Sequence, residues 1–269
     1  MKPPLERELQ VYEQIRATSA AVPASERLVL CVDTEDWRHT TQTCYLTLLN
    51  LGADQVTVNL SRREMPVVDL VPAEYHNKYH FFNSVFSQVD GHAVSQSERK
   101  RLDVGHQNEF TYGEVEFLGL AAVLELCEPR AGQVFWDLGC GAGRALLAAA
   151  LLYPRLKVNG VEYLPELCEL CKRTVSHLET DLPLARMTVL QGDILEVDWS
   201  NASIVYASSI CFSDELMEGV AAKAASLRLG AKFLTLKPLP SSKYFVLRQS
   251  IRVRMTWGKA AVYILEKVR

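Results

Sequence analysis

The stretch Asp137-Leu138-Gly139-Cys140-Gly141-Ala142-Gly143 sets three glycines in seven residues. It follows Gln133–Leu138, an apolar run of strand character, and opens Arg144–Tyr153, which has helical length and spacing. Glycines between a strand and a helix let the backbone turn tightly and let a ligand approach the chain closely. Working outward, runs at Lys157–Val161, Met187–Gln191, Ser203–Ala207 and Lys232–Lys237 alternate with helices predicted at Pro165–Leu178 and Asp214–Leu227. Strands separated by helices of this length predict βαβ units, hence a mostly parallel, Rossmann-like sheet covered on both faces. The last two runs, Ile251–Thr256 and Ala261–Glu266, flank Trp257-Gly258-Lys259 and leave no room for a crossover helix. They are expected to form a terminal antiparallel hairpin at the sheet's edge. Upstream, Glu114–Glu128 reads as an amphipathic helix closed by Pro129.

The chain has 269 residues, more than one average domain and less than two, so an α/β domain with a smaller N-terminal one is expected. Hydrophobic residues make up 48%, charged residues 23%, and the mean hydropathy is +0.00, which excludes a wholly disordered or fibrous chain. Seven cysteines without a leader read as reduced thiols of the cytosol or nucleus. The opening Met1-Lys2-Pro3-Pro4-Leu5-Glu6-Arg7 lacks the apolar stretch of a signal peptide. The longest uncharged apolar run, Ala145–Tyr153, is about half the length that spans a bilayer. A soluble intracellular protein with no membrane partner is expected. The polar stretch Asp90–Gln107 places a boundary near residue 108. Residues 1–108 then form a mixed helical and short-strand domain, and residues 109–269 the α/β domain. Within the first, Leu5–Ala17 and Cys44–Leu51 read as helices, the second ended by Gly52. Arg27–Val32, Gln55–Leu60 and Val67–Val71 read as strands.

The formal net charge is −3, but residues 237–269 hold eight basic residues and one acid, a local +7 that leaves −10 for residues 1–236. This asymmetry suits a face for DNA or for an acidic protein patch, and equally a strand pair whose exposed face is simply basic. Arg99-Lys100-Arg101 reads as a solvated loop.

Nucleotide and S-adenosylmethionine sites all use glycine loops, so the neighbouring residues decide between them. A nicotinamide fingerprint wants Gly or Ala where this chain has Arg144. Asp137 stands two residues before Gly139, where a carboxylate can hold the cationic methionine end of S-adenosylmethionine. Glu162 ends the second strand nineteen residues after Gly143, placed to accept the ribose hydroxyls. Gly192-Asp193-Ile194 ends the third, with a carboxylate for the adenine amino group and an apolar cover for the ring. No metal is expected. Cys168 and Cys171 lie mid-helix without a second pair, and His76 and His80 lack a third ligand.

Five parallel strands and a terminal hairpin form the layout of class I S-adenosylmethionine-dependent methyltransferases. Within that class, residues 109–269 resemble the non-SET histone-lysine methyltransferases of the disruptor-of-telomeric-silencing type. The resemblance rests on Tyr112-Gly113-Glu114, Asp137–Gly143, Glu162, Gly192-Asp193, Lys237-Pro238 and Trp257-Gly258-Lys259 with Tyr263. It implies that Tyr112, Gly113 and Glu114 cover the cofactor. Asp137, Gly139, Gly141, Gly143, Glu162, Asp193 and Ile194 would contact it, and Tyr263 would border the lysine channel. It further implies histone H3 in the nucleosome as partner, S-adenosylhomocysteine as product and the nucleus as location. After the fourth strand the family carries an Asn pair and two spaced aromatics; here stands Ser208-Ser209-Ile210-Cys211-Phe212, which keeps only the second aromatic. The Asn/Asp-Pro-Pro-aromatic motif of many other amino-group methyltransferases is absent from this position. Methylation of another protein or of RNA, and an adenosylmethionine-binding regulator without turnover, stay open beside the leading reading.

Lysine methylation displaces a sulfonium methyl in line, so the attacking amine must be neutral. From a reference pKa near 10.4, that costs roughly 4 kcal/mol at about pH 7.4. Apolar walls lower this cost by desolvation, and the sulfonium charge lowers it further. Phe212, Ile210 and Tyr263 are candidate walls, and Ser208 a candidate acceptor that orients the amine.

Overall fold

The computed structural model describes residues 30–31, 46–50, 56–59, 67–68, 70–71, 75–104, 112–176, 178–240 and 243–269. The helix expected at Leu5–Ala17 lies outside them. The chain divides into two compact units, Met1–Tyr79 and His80–Arg269.

In the first unit, β1 (Leu30–Cys31) pairs in parallel with β5 (Leu70–Val71). A separate sheet has β2 (Leu46–Asn50) between β3 (Val56–Asn59) and β4 (Val67–Val68), both antiparallel to it. This corrects the helix read at Cys44–Leu51. A short apolar run satisfies either period, and two β-branched-rich strands supply the partners that decide it.

The division at Tyr79 and His80 falls inside α1 (His76–Phe86), and the polar stretch after residue 90 contributes α2 (Gly91–Arg101) to the second unit. Asp90 caps α2 by accepting from the Ala93 N–H at 2.8 Å. Arg99, Lys100 and Arg101 form its last turn instead of a loop, where cations complement the exposed carbonyls. Next comes α3 (Phe117–Glu125), with eight of its nine residues buried. It is therefore apolar all round and not amphipathic, because it packs against both α4 (Arg144–Leu152) and β11 (Phe245–Met255).

The sheet itself contains β6 (Val134–Leu138), β7 (Lys157–Glu162), β8 (Arg186–Gln191), β9 (Ile204–Ala207), β10 (Lys232–Thr235), β11 and β12 (Gly258–Lys267). Their order is β11-β12-β10-β9-β6-β7-β8, parallel from β10 to β8 and antiparallel at β12 and β11. This is the class I methyltransferase arrangement. The central strands β6 and β9 are apolar almost throughout because both faces are covered. The covering helices are α4, α5 (Pro165–Ser176) and α6 (Asp214–Ala224). On one face Trp136, Trp199, Val205, Phe233 and Phe245 form a continuous core. Phe233 lies 6.3 Å from Trp199 and 6.1 Å from Phe245, the latter edge-on. Each such side chain contributes about 1.5–3 kcal/mol by leaving water.

The hairpin is longer than expected and turns through Thr256-Trp257 alone. A bulge between Leu247 and Gln249, with 248–250 exposed, interrupts the alternation that would have announced its first half. Among the described residues no helix is long and apolar enough to cross a membrane.

The chain runs β6, β7, β8 outward on one side and returns through β9 and β10 on the other. The carboxyl ends of β6 and β9 thus flank a topological switch point, where open α/β sheets form ligand crevices.

Candidate active site

A cavity of about 440 Å³ opens at that switch point. Its floor is the glycine loop. Gly139, Gly141 and Gly143 have φ of 83°, 54° and 94°, a region that L side chains avoid. The Gly139 and Cys140 N–H groups both donate to the Val161 carbonyl at 2.9 Å, which pins the loop to β7. Gly139 and Gly141 line the cavity; Gly143 does not, since it starts α4 and packs behind the loop. A Cβ there would stand 2.8 Å from the Cys171 sulfur.

Carboxylates form the next layer. Asp137, at the end of β6, is buried, and its Oδ1 has no hydrogen-bond partner. Burial raises its pKa well above the usual carboxylate range, and the charges of Glu162 and Glu114 add to the shift. Glu162, at the end of β7, accepts from the Gly141 N–H at 2.9 Å and the Leu164 N–H at 3.0 Å. Burial pushes its pKa up, and these backbone donors partly offset the rise. It thus shapes the loop while still facing the cavity. Asp193 accepts from the Leu195 N–H at 2.7 Å, and Ile194 is an apolar wall beside it.

The segment from Tyr112 to Val115 closes one side. The Thr256 N–H donates to the Glu114 carbonyl at 2.9 Å, the Glu114 N–H donates to Thr256 Oγ1 at 3.3 Å, and Val115 bridges Met255. Gly113 leaves room for the Trp257 indole, whose Nε1 lies 2.6 Å from where a Cβ would stand. Tyr112 rests on Gly91 and Gly141 and donates its hydroxyl hydrogen to Glu114. The other Glu114 oxygen meets Arg144 Nε at 3.5 Å, and the Arg144 guanidinium lies 4.7 Å from the rings of both Phe82 and Phe86. Arg144, singled out in the sequence only for what it replaces, is therefore the latch of this cover.

Beyond β9, Ser208 and Phe212 line the cavity. The Ser208 hydroxyl reaches the Gly113 carbonyl at 3.5 Å. Ser209 turns the other way: its Oγ accepts from the Leu236 and Lys237 N–H groups at 3.1 Å and tethers β9 to β10. Besides Gly143, two expected residues are not brought to the cavity. Ile210 sits on a 3₁₀ turn (Ser209–Cys211) and is 42% exposed. Tyr263 pairs across β12 with Thr235 and Ser250 and packs against the core. The lining also includes residues the sequence reading missed, among them Tyr206 on β9 and Ser95 on α2, whose hydroxyls are unpartnered. Tyr206 was accessible in principle, because it shares a strand face with Ser208. Ser95 depends on long-range packing that no local pattern announces.

The donor set fits S-adenosylmethionine. An unpartnered buried carboxylate suits its ammonium, the glycine loop admits its chain closely, and Glu162, Asp193 and Ile194 line the same cavity. Among the described residues, no group of three or more His, Cys, Asp or Glu side chains converges as a metal site would. Cys140 and Cys171 are free thiols with sulfurs 3.9 Å apart, Cys168 is a free, buried thiol, and the His76 side chain lies outside the described residues.

Residues 92–263 match the family described as "Histone methylation protein DOT1". A histone-lysine N-methyltransferase, H3 lysine-79 specific, from Eremothecium gossypii is 25% identical over 150 residues, covering 52% of this chain and 26% of that protein. A protein-lysine N-methyltransferase from Saccharolobus islandicus is 30% identical over 83 residues, 31% of this chain and 50% of that one. The chain thus spans half or less of the length of these relatives. Among solved structures, TrmN from Thermus thermophilus aligns with a TM-score of 0.48 at 20% identity, over 64% of this chain and 53% of that one.

Proposed function

We propose, from the premise that this chain belongs to the histone methylation protein DOT1 family, that it is an S-adenosylmethionine-dependent protein-lysine N-methyltransferase. Its acceptor is a lysine of histone H3 in the nucleosome, by analogy with the relative named for H3 lysine-79. The observation that carries the reading is the unpartnered, buried Asp137 Oδ1 above a left-handed glycine loop. Burying such a group is costly unless a ligand satisfies it.

When bound, the cofactor supplies an electrophilic sulfonium methyl and leaves as S-adenosylhomocysteine. Asp137 holds its ammonium, and Glu162 uses the lone pairs left over from Gly141 and Leu164 for the ribose. Asp193 takes the adenine amino group, and Ile194 covers the ring. The cover made by Tyr112, Gly113 and Glu114, latched by Arg144, excludes water. On the acceptor side, Phe212 desolvates the lysine amine, which favours its neutral form, and Ser208 orients it. The amine proton leaves to solvent before transfer. Ile210 and Tyr263 have no part in the channel in this reading. The basic 237–269 segment contacts DNA or an acidic patch of the nucleosome, and the protein works in the nucleus.

A second reading is a lysine on a non-histone protein, favoured by the relative named simply a protein-lysine N-methyltransferase. Tritiated methyl transfer to nucleosomes, free histones, a mixed protein extract and RNA, run side by side, separates these. Label on nucleosomal histone H3 is expected; label confined to non-histone proteins supports the second reading. Label on RNA alone overturns both.

A further inference from the structure

Tyr206 is 2% exposed, yet it lines the cavity, and its hydroxyl has no hydrogen-bond partner in the structure. Its position on the sheet says what it faces. Tyr206 on β9 is in register with Asp137 on β6, so the two side chains leave the same face of neighbouring parallel strands. Asp137 Oδ1 is unpartnered as well. Burial raises the Tyr206 phenol pKa and the Asp137 charge raises it further, so the phenol keeps its proton. The Ser208 hydroxyl is turned to the Gly113 carbonyl at 3.5 Å.

Two buried oxygens thus share one wall, in a cavity whose other charged groups are the Glu114, Glu162, Asp193 and Glu215 carboxylates and Arg144, which is paired with Glu114. A ligand group that satisfies both must be cationic and carry more than one N–H. That is a primary ammonium. We propose that Tyr206 is a specificity-determining residue which, together with Asp137, seats the ammonium at the amino-acid end of the cofactor. The inference rests on the adenosylmethionine reading above and adds a residue to it. It also accounts for a tyrosine here where phenylalanine would fill the same space without burying a hydroxyl.

Calorimetry with two ligands tests it: S-adenosylhomocysteine, which has the amino-acid end, and 5′-methylthioadenosine, which lacks it. Tyr206→Phe is expected to weaken S-adenosylhomocysteine about ten- to a hundredfold, the range for one hydrogen bond to a charged group. Affinity for 5′-methylthioadenosine is expected to be unchanged. The ligand-free variant is expected to melt no lower than wild type, because the hydroxyl it loses has no partner to leave behind. Unchanged S-adenosylhomocysteine affinity, or equal losses for both ligands, overturns the role of Tyr206 and leaves the cofactor reading standing. A lowered melting temperature without ligand also overturns it, since the hydroxyl would then be structural. A wild-type protein that binds neither ligand overturns the cofactor reading itself.

Discussion

Asp137 shows at the scale of one residue how this fold prepares a site. Its main chain is fixed by β6 pairing with β7 and β9, and its carboxylate ends in a buried place where water cannot repay it. The raised pKa expresses that cost: in the empty site the proton is held more tightly than by an ordinary carboxyl. A cationic ligand reverses the balance, because it favours the ionised form and binding then releases the proton. Cofactor affinity should therefore be weakest below the raised pKa, climb as pH passes through it, and level off above. Asp137→Asn should lower affinity by about 1.5–3 kcal/mol at neutral pH and flatten that climb. Calorimetric titration of S-adenosylhomocysteine across pH checks both; an equal slope in the variant would assign the titration to another group.

At the scale of elements, α2 is the piece that local patterns did not foretell as part of the site. Glu98 on this helix is fully buried and accepts from the Glu166 N–H at 2.8 and 3.0 Å and from the Leu167 N–H at 3.1 Å. It therefore caps the first turn of α5 from a helix 68 residues away in the chain. Glu98→Ala leaves those donors buried and unpaired, and denaturant unfolding should show a loss of about 2–3 kcal/mol. A loss under half of this would mean that water reaches the α5 terminus. The strands β6, β7, β9 and β10 were legible because sheets covered on both faces write themselves as apolar runs, whereas the edge strand β8 is largely exposed. The glycine loop and its carboxylates were legible because their spacing along one chain segment is fixed by the ligand. The β2 strand was not, since only its partners distinguish it from a helix. Ser95 was not either, because packing between distant helices brought it to the cavity, whereas Tyr206 was within reach of the strand alternation that places Ser208. Tyr263, read as a channel wall, sits where the register of β12 places it against the core.

At the scale of the whole molecule, the basic segment is less free than its charge suggests. Lys237 donates to the Phe212 carbonyl at 2.5 Å, Lys267 is buried and donates to the Ala225 carbonyl at 2.6 Å, and Arg248 pairs with Glu266 at 3.0 Å. Arg252 is exposed on β11, between the inward-facing Ile251 and Val253. If this edge meets a nucleosome, Arg252→Glu should raise KM for nucleosomes several-fold at low salt, with the gap to wild type narrowing as salt screens the contact. Cofactor affinity should not change. An unaltered KM at low salt would leave Arg252 a solvated strand residue. The account as a whole turns on whether this chain methylates a protein lysine. Nucleosomes incubated with the protein and S-adenosylmethionine, then read by mass spectrometry for methylated lysines, test that most directly. Methylated lysine on histone H3 with the wild-type chain, and none with Asp137→Ala combined with Glu162→Ala, is the predicted result; unmodified lysines throughout, from folded wild-type protein that binds the cofactor, would contradict it.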